Sequence, residues 1–268
     1  MIALYFSGTG NSKFVAETMA DHLGGVAYSI EAAMDFDALM VQTDTILVSY
    51  PVYASRVPKI MRDFVTAHRN GFRNKKLIIL CTQMMYSGDG AKAFYHLVAD
   101  CNVDVRYADH INMPNNIPNI PMVTIKDSEY HRKLRLAARK LKTIADRIQK
   151  GQKFLKGWGV LGSALGRVQR PIPDAQYDAK HVDAFLVSED CIRCGLCVKH
   201  CPAKNLSMEA EGVTSHHRCT LCFRCVNLCP AKACTVMLHK PVRRQYRKLL
   251  PTVMSSNAGS DIQKEDSL

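Results

Sequence analysis

Eight of the eleven cysteines fall into one spacing pattern that occurs twice. Both copies read C-x2-C-x2-C-x3-C-P, and the second begins 28 residues after the first. Three thiolates spaced three residues apart can wrap one face of an iron–sulfur cube while the proline turns the chain away. Paired structural zinc sites are the alternative, although zinc more often takes two CxxC pairs per metal. The cysteines of the pattern are Cys191, Cys194, Cys197 and Cys201 in the first repeat, and Cys219, Cys222, Cys225 and Cys229 in the second.

The repeated pattern resembles the bacterial ferredoxin domain, which carries two 4Fe–4S clusters. By that resemblance, the last cysteine of each repeat completes the cluster of the other repeat. One ligand set would be Cys191, Cys194, Cys197 and Cys229, and the other would be Cys219, Cys222, Cys225 and Cys201. The remaining cysteines, Cys81, Cys101 and Cys234, are expected to be small buried hydrophobic residues.

A second chemical feature is the polar turn Ser7-Gly8-Thr9-Gly10-Asn11-Ser12 near the start of the chain. It lacks the third glycine of a dinucleotide fingerprint, and no acidic residue clearly ends the next strand, which argues against an NAD site. Its hydroxyls, amide and backbone N–H groups could bind a phosphate monoester at a helix N-terminus without a basic side chain. Helix capping by the same serine and threonine side chains is the simpler alternative.

These residues need elements that position them, and residues 1–150 alternate between strand and helix patterns. Such alternation predicts a doubly wound α/β domain with a parallel five-stranded sheet. The predicted strands are 2–6, 26–30, 45–50, 77–82 and 103–111, and the chief predicted helices are 14–23, one from Pro58, 91–100 and a closing helix over 127–150. In this architecture the loops after the first, third and fourth strands converge at one edge of the sheet.

The three converging loops resemble those of flavodoxin, whose phosphate loop has the form [ST]-x-T-G-x-[ST]. The resemblance implies bound FMN, with the aromatic side chains of Tyr53 and Tyr86 as expected contacts of its ring. The expected cofactor-binding residues are Ser7, Thr9, Gly10, Asn11, Ser12, Pro51, Val52, Tyr53, Thr82, Gln83, Tyr86, Ser87 and Gly88.

Both halves in this order resemble the flavodoxin–ferredoxin fusion family often labelled ferrodoxin. The resemblance includes P-V-Y-A-S-R-V-P at 51–58, S-G-D-G at 87–90 and L-G-R-V-Q-R at 165–170. We therefore expect a flavodoxin-like domain, a connector packed between the domains, a small α+β ferredoxin domain and a frayed tail. Their expected ranges are 1–151, 152–187, 188–238 and 239–268.

The formal net charge of +12 is concentrated in one segment. Residues 126–170 contain 13 Lys and Arg against 3 Asp and Glu. The simplest interpretation is a solvated helix face, and docking of an acidic redox protein is the alternative. Nucleic-acid binding is not expected because no such motif accompanies the charge. Contact of the connector with a membrane surface is also not expected.

The compartment follows from the cysteines and the N-terminus. No apolar run approaches the length of a spanning helix, and Met1 leads into a strand rather than a secretory signal, so we expect a cytoplasmic protein. Thiols stay reduced there, which favours metal ligation over disulfides.

The function expected from these features is electron transfer between two 4Fe–4S clusters and FMN. The alternative is a ferredoxin-dependent flavin reductase that acts on a small molecule. That activity would need a proton donor beside the flavin, and the histidines of the first domain are expected at the surface instead. These are His22, His68, His96 and His110.

Overall fold

A parallel β-sheet organises the first part of the chain in the computed structural model, which describes residues 1–118 and 127–246. Within these residues the sheet has six strands in the order β2-β1-β3-β4-β5-β6, and every pair is parallel. The strands are β1 (Ile2–Tyr5), β2 (Val26–Ser29), β3 (Thr45–Pro51), β4 (Lys76–Gln83), β5 (Asp104–Asn112) and β6 (Phe154–Leu155).

The expected count of five strands was wrong, because part of the predicted connector adds an edge strand. After the helix that follows β5, the chain returns to the sheet, and Phe154 and Leu155 pair with Tyr107 and Ala108. The pairing is only two residues long, and that is too short to produce a strand pattern in the sequence.

Helices cover both faces of the sheet, as a doubly wound fold requires. They are α1 (Asn11–Leu23), α2 (Phe36–Val41), α3 (Lys59–Ala67), α4 (Gly90–Leu97) and α5 (Asp127–Gln149). Successive residues of β3 enter opposite cores: Ile46 and Val48 pack towards α2, α3 and α4, whereas Leu47 packs towards α1 and α5. This alternation buries both faces and explains why β3 is apolar throughout.

Helix α5 has the two-sided character expected from the sequence. Ala137, Leu141 and Ile144 are buried in the core beneath the sheet. The opposite face exposes cationic side chains, which are Arg132, Arg135, Arg139, Lys142 and Arg147. Within the part of the chain that the structure describes, no helix is both long enough and apolar enough to span a bilayer.

The cysteine block forms a third core of its own. Two longer helices lead from the sheet domain into it. Within it, two short helices and two antiparallel strand pairs, β7 with β10 and β8 with β9, surround the cysteines. The elements are α6 (Val160–Gln169), α7 (Asp174–His181), β7 (Phe185–Val187), α8 (Leu196–Lys199), β8 (Leu206–Glu209), β9 (Gly212–Ser215), α9 (Arg224–Leu228) and β10 (Cys234–Val236).

One sequence-based interpretation changes in a segment between elements. The 112–125 segment was expected to be a surface connection, yet Met113, Pro114 and Asn115 are buried because they pack beside the polar turn. Residues 119–125 of that segment, and the part of the predicted tail from 247 onwards, lie outside the described residues.

Candidate functional site

A cavity of about 340 Å³ opens at the carboxyl ends of β1, β3 and β4. Its volume lies in the range of small-molecule sites. Of the cofactor-binding residues expected from the sequence, all line this cavity except Gly10 and Gly88. Additional lining residues come from the same loops and from elsewhere in the chain: Gly8, Ala54, Ser55, Met84, Met85, Pro114, Asn115, Asn116, Ile117, Gln169 and Phe223.

The polar turn closes one end of the cavity and leads into α1. Gly10 precedes the helix in a left-handed conformation with φ of 99°, and it provides no side-chain cap. The capping interpretation of the turn is therefore not realised, and the first N–H groups of α1 lack intrahelical acceptors. The serine hydroxyls make other hydrogen bonds instead of capping the helix: Ser7 Oγ accepts from the Gly10 amide at 3.0 Å, and Ser12 Oγ lies 2.9 Å from Thr82 Oγ1.

The lining matches a phosphate monoester that is bound by dipoles alone. None of the described residues that line the cavity is formally charged. Thr9 and Ser12 are almost fully buried, so their hydroxyls work in a medium of low dielectric constant, where hydrogen bonds are strong. Hydroxyls, amides and free helix N–H groups are the donors that suit a phosphate at this position.

A wall that the sequence interpretation missed follows β5. Asn11 Nδ2 donates to the Pro114 carbonyl at 3.0 Å, and Asn116 Nδ2 donates to Thr9 Oγ1 at 2.9 Å. These bonds hold the segment after β5 against the polar turn. The sequence signal was the run of prolines and asparagines, which was interpreted as surface turn formers.

The loop after β4 carries Tyr86, the candidate for binding the ring. A buried network of hydrogen bonds fixes this loop. Gln83 Oε1 accepts from the Ser87 amide at 2.9 Å and from its hydroxyl at 2.8 Å. His110 Nε2 accepts from the Ala91 amide at 3.3 Å, so Nδ1 carries the proton of the neutral ring and lies 3.3 Å from Ser87 Oγ.

His110 was expected at the surface, and that expectation was wrong. The side chain is 1% exposed because β5 carries it into the sheet core behind the loop. Burial, with the nearby Lys156 cation, lowers the pKa of His110 to about 4 and keeps the imidazole neutral.

Helix α6 packs on the same loop through glycines. A Cβ atom on Gly88 would overlap the backbone of Gly162 and Gly166, and one on Gly166 would overlap the Asp89 carboxylate. The apolar side chains of Leu161 and Val168 lie on the outer face of α6, where they are 80% and 74% exposed. Close contact is possible because the inner face of α6 presents glycine rather than leucine.

Two polar side chains at the end of α6 contact the loop after β4. Gln169 Oε1 accepts from the Gly88 amide at 3.1 Å, and Gln169 also lines the cavity. Arg170 forms a two-pronged ion pair with Asp89, at 2.5 and 2.7 Å. Both residues lie within the L-G-R-V-Q-R stretch, so the connector supplies a wall of the site.

The second cysteine repeat supplies the remaining wall. Phe223 lines the cavity, and the carbonyl of the preceding Cys222 lies against the Cα of Gly8, where a Cβ could not fit. Arg224 donates to the Ser7 carbonyl at 2.9 Å and to the Gly8 carbonyl at 3.1 Å. The polar turn is therefore fixed from behind by the cysteine block.

The two cysteine repeats share their backbone conformation. Arg193 and Gly195 of the first repeat have positive φ angles, and so do Leu221 and Phe223 at the equivalent positions of the second. The last thiol of each repeat also accepts an amide hydrogen bond at 3.3 Å, to Cys201 from Asn205 and to Cys229 from Ala233. Left-handed turns and amide donors around sulfur suit a chain that wraps an anionic cluster.

Some thiols of one repeat interact with thiols of the other. Burial raises the pKa of Cys222 to about 12, and the charges of Cys201 and Cys219 add to that increase. Burial likewise raises the pKa of Cys225, with the charges of Cys222, Cys219, Cys201 and Cys197 adding to it. Cys201 of the first repeat is thus a neighbour of the second triple.

Cys229 of the second repeat lies beside Cys197 of the first. The thiol of Cys234 hydrogen-bonds to both, which lowers the pKa of Cys229 to about 5 and that of Cys197 to about 7. Cys234 is buried, as are Cys81 and Cys101, in agreement with the expectation for these three residues.

The thiols are not arranged for a single ion. Among the described residues, no three His, Cys, Asp or Glu side chains are gathered closely enough to hold one metal ion.

Comparisons with known families agree with the two-part organisation. A family model described as a flavodoxin domain matches residues 2–115, and one described as a 4Fe-4S dicluster domain matches residues 190–233. The chain therefore combines a flavodoxin domain with a 4Fe–4S domain, which supports a flavin and iron–sulfur electron-transfer protein. The comparison with curated proteins finds no match.

Several solved structures resemble part of the chain. A flavodoxin of Megasphaera elsdenii in its two-electron reduced form is 22% identical, covers 52% of this chain and 99% of its own, and has a TM-score of 0.38. General stress protein 14 of Treponema denticola, in complex with FMN, is 12% identical over 55% and 98% with a TM-score of 0.42. A WrbA-like flavodoxin of Agrobacterium tumefaciens is 16% identical over 56% and 98% with a TM-score of 0.41.

Proposed function

We propose that this protein transfers low-potential electrons between two 4Fe–4S clusters and one bound FMN. The observation that carries the proposal is the shared wall: Phe223, next to a predicted cluster ligand, lines the cavity that the polar turn closes. When bound, each cluster exchanges one electron and FMN one or two, so together they connect one-electron with two-electron reactions.

The residues of the cavity divide the binding of FMN between them. The polar turn and the free N–H groups of α1 hold the phosphate, and Thr9 and Ser12 supply buried hydroxyls. Tyr53 and Tyr86 offer aromatic faces on the two loops expected to hold the ring. Gln169 and the residues after β5 restrict the entry of water from the remaining sides.

The thiol groups favour crossed ligation of the two clusters. By the resemblance to the bacterial ferredoxin domain, each cluster would take ligands from both repeats, and the interactions of Cys201 with Cys222 and of Cys229 with Cys197 agree with this. The cytoplasmic location expected from the sequence belongs to the same proposal, since ligand thiols must stay reduced. An external redox protein, acidic on its contact surface, is the partner proposed for the basic face of α5.

Cofactor content after anaerobic purification tests the proposal directly. We expect one FMN per chain and the iron and acid-labile sulfide of two 4Fe–4S clusters. The double variant Thr9→Ala with Asn11→Ala should weaken FMN binding about tenfold or more while the iron content stays unchanged, since each lost hydrogen bond to phosphate contributes about 1 kcal/mol or more.

The matched control replaces the same residue types at exposed positions on and just after α3. Thr66→Ala with Asn70→Ala should leave both cofactors in place. Unaltered FMN affinity in the Thr9 and Asn11 variant would show that the polar turn does not bind the phosphate.

Crossed ligation has its own test. Cys229→Ser should perturb the same EPR signal as Cys194→Ser, and Cys201→Ser should perturb the same signal as Cys222→Ser. If Cys229→Ser instead reproduced the spectrum of Cys222→Ser, each repeat would bind its own cluster and the crossed assignment would be wrong.

A further inference from the structure

The two cysteine repeats have the same backbone but opposite surroundings. The loop between the first and third cysteine of the first repeat faces solvent: Ile192 is 65% exposed, and Arg193 and Cys194 are also exposed. At the equivalent positions of the second repeat, Leu221 is 4% exposed and Cys222 is 9% exposed. The repeats are equivalent in chain geometry, so their burial is set by what packs on them.

What packs on the second repeat is the flavin cavity. Cys222 belongs to the hydrophobic core of the flavodoxin domain, and its carbonyl contacts the polar turn at Gly8. Tyr53 lines the flavin cavity on one side, and on the other it lines a small cavity bounded by Cys219 and Leu221. Tyr53 therefore lies between the cofactor cavity and the small cavity that Cys219 and Leu221 bound.

Polar contacts reinforce the same arrangement. Arg224 joins the Ser7 and Gly8 carbonyls to the His200 carbonyl and to the Glu31 carboxylate, with distances of 2.6 to 3.2 Å. Asn227 donates to the Asn116 carbonyl at 2.9 Å, beneath another wall of the cavity.

We infer that the two cluster sites have different tasks. The inner site, formed by Cys201, Cys219, Cys222 and Cys225, faces the flavin; the outer site, formed by Cys191, Cys194, Cys197 and Cys229, is where electrons are exchanged with an external one-electron carrier. This inference rests on the proposed function and adds an order to it. An electron from a reduced carrier enters at the outer site, and the carrier leaves oxidised by one electron.

The sequence difference between the repeats fits these tasks. Where the inner loop has Leu221 and Phe223, the outer loop has Arg193 and Gly195. Leu221 and Phe223 are buried on the inner loop, whereas the outer loop leaves its large apolar side chain, Ile192, 65% exposed. The guanidinium of Arg193 instead donates to the carbonyls of Ala210 and Glu211 at the surface.

The test uses the full holoprotein and EPR signals rather than activity. Ile192→Glu adds a negative charge at an exposed side chain between two outer ligands, so it should lower the midpoint potential of one cluster signal and thereby identify the outer site. Val41→Glu, at an equally exposed position on α2, should shift neither signal.

Two measurements then separate the sites. A soluble dysprosium–EDTA complex should enhance the spin relaxation of the signal sensitive to Ile192→Glu at least several-fold more than that of the other signal. Comparison of the protein with and without FMN should change the spectrum or potential of the other signal only.

Three results would overturn the assignment of the outer and inner sites. They are equal shifts of both signals by Ile192→Glu, stronger relaxation of the signal that Ile192→Glu does not shift, and an effect of FMN on the signal that it does shift. A preparation that lacks FMN or shows a single cluster signal would refute the proposed function itself.

Discussion

Replacement of Arg224 by methionine should uncouple the polar turn from the cysteine block. The guanidinium makes hydrogen bonds to three carbonyls and a two-pronged ion pair with Glu31. The two side chains are 13% and 26% exposed, so the pair is largely shielded from water. Methionine keeps the apolar stem but leaves these acceptors without their donor.

The protein should lose stability because the Glu31 carboxylate and the three carbonyls remain without their donor. Breaking a buried ion pair costs about 3–5 kcal/mol, and the partial exposure of Glu31 reduces this to about 2–4 kcal/mol of the free energy of unfolding. FMN affinity should fall about tenfold to hundredfold, equivalent to about 1.4–2.8 kcal/mol, because the carbonyls of Ser7 and Gly8 lose the group that orients the turn.

Urea unfolding under anaerobic conditions and FMN titration followed by flavin fluorescence measure these two quantities. Arg218→Met, an exposed cation in the same segment, is the matched control and should stay within about 0.5 kcal/mol of the parent. A double-mutant cycle with Glu31→Gln should give a coupling of about 1–3 kcal/mol. If Arg224→Met were no more harmful than Arg218→Met, the side chain would not join the two domains.

Three further changes test other parts of the structure. Gly166→Ala should destabilise the protein by about 1–3 kcal/mol and weaken FMN binding, because its Cβ would meet the Asp89 carboxylate. Gly159→Ala is the control, since a Cβ there has no neighbour within 4 Å, and it should change neither quantity in the urea and FMN titrations. Burial holds the pKa of His110 at about 4 in the folded protein, below its unfolded value of about 6.5. The unfolded state therefore binds one more proton as the pH falls, and the free energy of unfolding should drop by about 2 kcal/mol between about pH 7 and 5. The variant His110→Gln should lose most of that slope in urea unfolding, and an unchanged slope would assign it to other groups. The rate of reduction by an acidic redox protein should fall steeply as salt is added, because exposed charges are screened over about 8–10 Å. Reversal of the charges on the basic face should also slow it; the residues to reverse are Arg132, Arg135, Arg139 and Lys142. A rate that changes with neither salt nor charge reversal would show that the basic face is only a solvated surface.

The sequence predicts those parts of the fold and site that local pattern determines. The apolar run of β3 and the stripe of α5 are recognisable because the period of buried residues matches a strand or a helix. The spacing of the cysteines and the composition of the polar turn likewise reveal which residues gather together, because each group is contiguous in the chain.

What the sequence does not reveal depends on contacts between distant segments. Phe223 and Gln169 line the cavity only because the cysteine block and α6 fold back on the flavodoxin domain, and neither residue type indicates such a role. His110 looks like a surface histidine until β5 is seen to bury it. Glycines 162 and 166 of α6 could be interpreted as linker residues, since nothing local marks them as a packing face.

The contact between Gly8 and Cys222 also bears on how the protein matures. The second repeat must adopt its final conformation before Phe223 and Arg224 can close and orient the cavity, and a chain that wraps a cluster folds as the metal binds. We therefore expect stable flavin binding to require prior iron–sulfur assembly, which flavin titration of the metal-free protein would check. On the same reasoning, loss of the metal centres should weaken flavin binding, because Phe223 and Arg224 would no longer be held against the polar turn.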